Sequence, residues 1–200
     1  MIAIIDYGVG NLFSLRSSLT HLGLEAVVTA DAQTIRKADR LILPGVGAFG
    51  DAMDKLSATG LVPVIREQAA QKPLLGICLG MQLLFDWSSE VRKTDGLGFV
   101  SGQVELIETD LKLPHIGWNS LQFPNPSPLF AGLDEGCYVY FVHSFCGSAA
   151  RQENVIATTD YGGEVLAAVQ SGNVFGTQFH PEKSGDVGMQ ILKNFGGLTK

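Results

Sequence analysis

The first half of the chain alternates short apolar runs with segments whose apolar residues recur at helical spacing. Four apolar runs without polar alternation are typical of strands covered on both faces, namely 2–5, 26–28, 41–43 and 74–77. Apolar residues three and four positions apart predict helices over 11–22, 61–70 and 79–85. Strands that alternate with helices in this way indicate a parallel sheet with helices on both faces.

The second half has a different pattern, in which apolar runs are separated mainly by turn residues. It predicts strands, several of them antiparallel, over 104–107, 120–123, 138–142, 165–169 and 174–179, and a closing helix over 185–195. No long linker, repeat or low-complexity tract divides the sequence. We therefore expect a single α/β domain over residues 1–200, with an open, mostly parallel sheet and additional antiparallel strands in its second half.

Composition and charge narrow the class of protein. Of the 200 residues, 46% are hydrophobic and 17% are charged, which excludes a disordered chain. The net charge of −6 argues against a nucleic-acid-binding protein, which is typically basic. No run of about 18 uncharged apolar residues predicts a membrane span. The N-terminal residues do not form a signal peptide, and three widely separated cysteines do not form a disulfide framework, so we expect a cytoplasmic protein.

The strongest candidate nucleophile is Cys78. It lies in Gly-Ile-Cys-Leu-Gly at 76–80, where a predicted buried strand meets a predicted helix. Glycines two residues before and after a nucleophile are typical of the nucleophile elbow, a turn too tight for side chains at those positions. The alternative is a small buried cysteine in a glycine-rich turn. Cys137 and Cys146 lack such flanking glycines, and we expect them to be structural.

A cysteine nucleophile needs a base, and His180 is the best candidate among the four histidines. It ends the predicted strand over 174–179 and is followed by Pro181 and Glu182. Proline favours extended geometry in the residue before it, and residues two apart in an extended chain point to the same side. Glu182 can therefore hold one ring nitrogen while the other faces Cys78, as in a triad. The alternative is a turn with a satisfied histidine.

A second glycine-rich turn, Pro-Gly-Val-Gly at 44–47, follows the predicted strand over 41–43. Its backbone N–H groups can point into a site that side chains would obstruct. We expect the backbone of Val46 and of Leu79, the residue after the nucleophile, to stabilise an oxyanion. The alternative is an ordinary glycine turn between a strand and a helix.

Together these motifs resemble those of the class I, triad-type glutamine amidotransferases. Further segments resemble the glutaminase subunits of imidazole glycerol phosphate synthases: Asp-Tyr-Gly-Val-Gly-Asn-Leu at 6–12, Pro-Gly-Val-Gly-Ala-Phe at 44–49, His-Ile-Gly-Trp-Asn at 115–119 and His-Pro-Glu-Lys-Ser at 180–184. The resemblance implies a flavodoxin-like fold and a Cys78, His180 and Glu182 triad that hydrolyses glutamine to glutamate and ammonia. It implies no metal or organic cofactor.

The resemblance also implies a binding site and a partner. Residues that match substrate-binding positions are Gly47, Gln82, Glu90, Ser144 and Phe145. Ammonia would pass to a (β/α)₈-barrel cyclase subunit, which forms imidazole glycerol phosphate and AICAR from PRFAR in histidine biosynthesis. Asn11, Trp118 and Lys183 match positions that face this subunit in a heterodimer.

Some alternatives stay open at this point. The chain could be the glutaminase subunit of another synthase, of the pyridoxal phosphate or anthranilate type, or a related cysteine hydrolase. Phe145 stands where many members of the family carry tyrosine. If that position acts through its backbone, the change is neutral; if it acts through a hydroxyl, the change alters the site.

Overall fold

The computed structural model describes residues 1–199. In chain order its strands are β1 (Ile2–Ile5), β2 (Ala26–Thr29), β3 (Arg40–Gly45), β4 (Leu74–Cys78), β5 (Phe85–Ser88), β6 (Thr94–Asp95), β7 (Val100–Leu106), β8 (His115–Ser120), β9 (Tyr138–His143), β10 (Phe145–Ala149), β11 (Val155–Asp160), β12 (Glu164–Ser171) and β13 (Val174–Thr177).

The helices are α1 (Leu12–His21), α2 (Ala32–Lys37), α3 (Phe49–Ala58), α4 (Val62–Ala69), α5 (Leu79–Gln82) and α6 (Gly185–Gly197). Short 3₁₀ turns lie at Pro128–Phe130, Gln152–Asn154 and Pro181–Lys183. Within residues 1–199, none of the helices has the length and apolar character needed to cross a membrane.

The main sheet has seven strands in the order β11-β12-β13-β4-β3-β1-β2. The five strands from β13 to β2 are parallel, whereas β12 and β11 are antiparallel to their neighbours. A four-stranded sheet, β10-β7-β5-β6, and a two-stranded ribbon, β8-β9, complete the fold. The expected mostly parallel α/β sheet with antiparallel additions is confirmed.

Burial on both faces explains the unbroken apolar runs of the central strands. In β1, Ala3 and Ile5 join one hydrophobic cluster, whereas Ile2 and Ile4 join the cluster on the opposite face. All four side chains are buried, because successive residues of a strand point to opposite faces of the sheet. Parallel backbone pairing places β3, β4 and β13 side by side, with their carboxyl ends at one edge of the sheet.

The predicted helix over 79–85 is much shorter than expected. It ends at Gln82, because the backbone beyond it pairs with another segment instead of continuing the helix. Leu83 O accepts from Leu97 N at 2.8 Å, and Leu84 O accepts from Val100 N at 3.0 Å. Phe85, placed in the helix by the sequence pattern, opens β5 instead.

The predicted strand over 120–123 is also wrong. The strand, β8, ends at Ser120, and Gln122 makes only an isolated bridge to Thr158. The sequence pattern failed because the apolar residues of β8 point outward: Ile116 and Trp118 are 58% and 55% exposed. The same pattern missed α2, α3, β5, β6, β10 and β11, and it extended β13 two residues too far.

Candidate active site

Cys78 is held in a strained turn between β4 and α5. Its φ of 55° and ψ of −114° lie in a region that residues other than glycine rarely adopt. The flanking glycines make the turn possible: a Cβ at Gly76 would lie 2.6 Å from Gly80 O, and one at Gly80 would collide with Leu43 O. These two close approaches are the physical requirement of a nucleophile elbow.

His180 and Glu182 form a buried pair beside the elbow. The His180 Nδ1 to Glu182 Oε1 distance is 2.9 Å, and both side chains are 3% exposed. His180 has extended backbone, as expected before Pro181, but the chain then enters the 3₁₀ turn Pro181–Lys183. The carboxylate therefore reaches the ring through this turn, and the expected extended path was wrong.

The second ring nitrogen of His180 faces the nucleophile. Within residues 1–199, Nε2 is buried and makes no regular hydrogen bond, although the Cys78 thiol lies near enough to affect the ring. Burial alone lowers the pKa of His180, but its contacts with Cys78 and Glu182 outweigh burial and raise the pKa to about 9. The imidazole is thus protonated near neutral pH.

The glycine-rich turn after β3 lies directly opposite the nucleophile. Gly45 pairs in register with Cys78 and is tightly enclosed, since a Cβ there would lie 2.8 Å from the Tyr7 hydroxyl. That hydroxyl donates to Pro44 O at 2.8 Å and so anchors the strand. Beyond it, Val46 is 45% exposed, and Gly47 has a φ of 97° with open space around it. The anchored part of the turn therefore ends at Gly45.

One cavity of about 400 Å³ brings together most of the residues singled out from the sequence. Its walls include Val46, Gly47, Cys78, Leu79, Gln82, Glu90, Ser144, Phe145, His180 and Lys183, together with Pro114, Val142 and His143. Glu182 lies behind His180 and does not line the cavity. Asn11 and Trp118 also lie outside it.

Two of the expected substrate-binding side chains also hold the protein together. Gln82 Nε2 donates to Phe145 O at 2.9 Å and to Gln178 Oε1 at 3.0 Å. Glu90 Oε2 accepts from Phe49 N, at the start of α3, at 2.7 Å. A role for Gln82 in binding therefore falls to its oxygen Oε1, because both N–H groups are occupied.

Sequence reasoning missed Gln178 and the pairing of His115 with His143. The two histidine rings are joined by a 3.1 Å contact between His115 Nδ1 and His143 Nε2. Burial, with the neighbouring rings of His115 and His180, lowers the pKa of His143 to about 4. The order Gln-Phe-His at 178–180 could have indicated that Gln178 lies on the same side as His180, because alternate residues of an extended segment share a side.

The other cysteines differ from Cys78 in their surroundings. All three thiols are free. Burial raises the pKa of Cys137, and burial together with Glu105 raises the pKa of Cys146 to about 11. Both therefore remain protonated at neutral pH, as expected of structural cysteines. Within residues 1–199, no group of three or more His, Cys, Asp or Glu side chains is placed to hold a metal.

The three residues expected at a partner interface lie on the surface or near it. Asn11 caps α1 by accepting from Ser14 N at 3.4 Å. Trp118 packs edge-on against Tyr140, with ring centroids 6.1 Å apart. Lys183 places its Nζ 5.9 Å from the centroid of the same Tyr140 ring. Tyr140 thus links two of the three residues.

Comparison with known proteins decides the family. The model of the family described as glutamine amidotransferase class-I matches residues 3–197. The chain belongs to the class I glutamine amidotransferase family. A protein of Bacillus cereus named imidazole glycerol phosphate synthase subunit HisH is 50% identical over 201 residues, which cover 100% of this chain and 96% of that protein. A Moorella thermoacetica protein of the same name is 50% identical over 200 residues, covering 100% and 95%.

Solved structures agree on the fold of this amidotransferase. PurLQS from Thermotoga maritima has a TM-score of 0.77 and 21% identity, covering 97% of this chain and 96% of that one. A putative GMP synthase subunit from Thermoplasma acidophilum has a TM-score of 0.76 and 21% identity, covering 98% and 92%. At this identity the similarity concerns the fold.

Proposed function

We propose that this class I glutamine amidotransferase is the glutaminase subunit of an imidazole glycerol phosphate synthase in histidine biosynthesis. The observation that carries the proposal is the placement of Cys78 and His180 at one cavity, with Glu182 bonded to His180 from behind, in a chain 50% identical over its full length to named HisH subunits. Its three free cysteines suit a reducing cytoplasm.

Glutamine would bind in the cavity with its side-chain amide against Cys78. The Cys78 thiolate would attack the amide carbon, and the carbonyl oxygen would become an oxyanion. The N–H of Leu79 lies at the start of α5, where helical N–H groups lack intrahelical partners, and is one donor to that oxyanion. The backbone at Val46 would supply the second donor.

His180 would then act as the general acid. With a pKa of about 9, its ring carries the proton that the departing amide nitrogen needs, and ammonia leaves as a glutamyl thioester forms. Water would attack the thioester, His180 would take the proton from that water, and glutamate would be released from the restored thiolate. Glu182 would hold Nδ1 throughout and stabilise the charged ring.

The ammonia would pass to a (β/α)₈-barrel cyclase subunit bound over Asn11, Trp118 and Lys183. Coupling avoids wasted ammonia, so the isolated chain would be nearly inactive. We place the switch at Val46 and Gly47, because Gly45 is enclosed by Tyr7 and Gly80 whereas the next two residues have open surroundings. A peptide beside glycine can rotate at low cost and move an N–H into the oxyanion site.

Glutamine hydrolysis by the chain alone, with the cyclase, and with the cyclase and PRFAR tests the proposal. We expect low activity alone and about a hundredfold increase in the complete system, the size of effect that one oxyanion donor provides. Cys78→Ala should abolish glutamine-dependent synthesis and retain ammonia-dependent synthesis, while Cys137→Ala and Cys146→Ala serve as matched controls. Normal glutamine turnover by Cys78→Ala, or high activity unchanged by the cyclase, would contradict it.

Trp118→Ala and Lys183→Ala test the partner face. Both should weaken activation by the cyclase while Cys78 remains open to alkylation by a glutamine analogue. Activation as strong as in the parent protein would place the cyclase elsewhere.

A further inference from the structure

Gln178 occupies an unusual position for a buried polar residue. Its side chain is fully buried, two residues before His180 and next to the end of β4. It bridges two groups of the active site: Oε1 lies 3.0 Å from Gln82 Nε2, and Nε2 lies 3.8 Å from Cys78 Sγ. A buried amide has to satisfy both ends, so this placement ties the nucleophile to the cavity wall.

The direction of each hydrogen bond follows from one atom that can only accept. Phe145 O accepts from Gln82 at 2.9 Å, which identifies the contacting Gln82 atom as its nitrogen. The same nitrogen donates to Gln178, so the Gln178 atom that it meets is the oxygen. The remaining end of Gln178 is its NH₂ group, and the atom that faces Cys78 Sγ is therefore a donor.

A second hydrogen bond to Phe145 O comes from a chain of three side chains. His143 Nδ1 donates to this oxygen at 2.9 Å, which leaves His143 Nε2 to accept from His115 Nδ1 at 3.1 Å. His115 Nε2 then accepts from Asn119 Nδ2 at 3.3 Å. This chain of neutral groups holds Phe145 O in place and, through Gln82, sets the orientation of Gln178.

We propose that Gln178 is a positioning residue that holds Cys78 Sγ in line for attack by donating a hydrogen bond to it. Among the described residues His180 interacts with the Cys78 thiol, but its Nε2 makes no hydrogen bond of regular geometry, so this contact sets the direction of Sγ only loosely. The donor of Gln178 gives the sulfur a second contact and complements the negative charge of a thiolate. The inference rests on the proposed glutaminase function.

The test compares the parent and Gln178→Met in complex with the cyclase and PRFAR. Methionine keeps the length of glutamine but cannot donate, so kcat for glutamine should fall about tenfold to a hundredfold, the range for a hydrogen bond to a charged group. KM should stay within about twofold, because Gln178 does not line the cavity and Gln82 keeps its hydrogen bond to Phe145 O. Gln170→Met is the matched control, since Gln170 bonds to Ser127 away from the site.

A second readout does not depend on glutamine turnover. Alkylation of Cys78 by iodoacetamide, followed by peptide mass spectrometry, measures thiol reactivity alone and should slow about tenfold in Gln178→Met, as for the lost hydrogen bond. Gln178→Glu, which is nearly identical in shape to the parent, replaces Gln178→Met if that variant does not fold. It should slow alkylation at least as much as Gln178→Met. An unchanged alkylation rate, or a change in KM with kcat preserved, would overturn the proposal. A parent complex without glutaminase activity would refute the proposed function, while the alkylation rates would still decide the role of Gln178.

Discussion

Two histidines at the same cavity show opposite protonation. His180 and His143 are almost equally buried, at 2% and 6% exposure. The pKa of His180 is raised to about 9, whereas that of His143 is lowered to about 4. Burial lowers both values, so it cannot account for the difference between them.

The neighbours of each ring decide its state. His180 lies between Cys78 and the Glu182 carboxylate, which favour the charged ring. His143 meets His115 and a backbone carbonyl, so no opposite charge offsets its burial. His180 therefore carries a charge that the proposed proton transfer can use, while the pair of His143 and His115 remains neutral and holds Phe145 O.

The largest expected effect is the difference in glutaminase activity between variants of His180 and of His143. His180→Asn should lower kcat for glutamine by at least about a thousandfold, since it removes the proton donor. His143→Asn should lower it by no more than about tenfold, because an asparagine N–H can still reach Phe145 O and no proton is transferred there. Kinetics in the saturated cyclase complex measure both. A loss at His143 equal to that at His180 would break the comparison.

A smaller loss is expected at the orienting carboxylate. Glu182→Gln keeps a hydrogen-bond acceptor for Nδ1 but removes the charge that supports the protonated ring. We expect kcat to fall about tenfold to a hundredfold, less than for His180→Asn, because the proton carrier itself remains. The same steady-state assay decides the order, and a larger loss at Glu182 than at His180 would contradict the roles assigned here.

Stability should follow pH in opposite directions for the two rings. His143 takes up a proton near pH 6.5 when unfolded and about pH 4 when folded, so the folded state loses stability as pH falls between these values. Its share of the loss from pH 7 to pH 5 is about 2 kcal/mol. His180, with its raised pKa, stabilises the fold in full below pH 6.5 and loses that effect as pH rises towards 9.

Urea unfolding of the parent and His143→Asn at pH 7 and pH 5 isolates the contribution of His143. Carboxylates titrate in both proteins and cancel in the difference between them. The variant should lose about 2 kcal/mol less on acidification. Equal losses would show that His143 is not held neutral by the fold.

Features set by short-range sequence were predictable, and features set by packing across the fold were not. The elbow at Cys78 follows from its two flanking glycines, and the His180–Glu182 contact joins residues two apart, although a 3₁₀ turn and not an extended segment makes it. Gln178 and His143 gained their roles from partners far along the chain, 100 and 28 residues away. No local pattern carries that information.

The ribbon β8-β9 shows why a strand can escape detection. In β8 the buried residue is the polar His115, stacked on Phe141 and Tyr161, while Ile116 and Trp118 face outward. A prediction that places apolar residues in the core therefore assigns the wrong face of β8 to the interior. An outward apolar face is suited to a partner protein, in keeping with the position proposed for the cyclase.

The smallest expected effect concerns Phe145, where the family often carries tyrosine. In the structure the carbonyl oxygen of Phe145 accepts from Gln82 and His143 at 2.9 Å each, so we expect this position to act through its backbone. Phe145→Tyr leaves the backbone unchanged and should keep kcat and KM within about twofold. The roles proposed for His180 and His143 should not change. Glutaminase kinetics of the complex measure this. Phe123→Tyr is the matched control, since Phe123 stacks on Phe130 and does not line the cavity. A gain of tenfold or more in kcat/KM, well beyond the roughly twofold expected, would mean that the position needs a hydroxyl and that the phenylalanine alters the site.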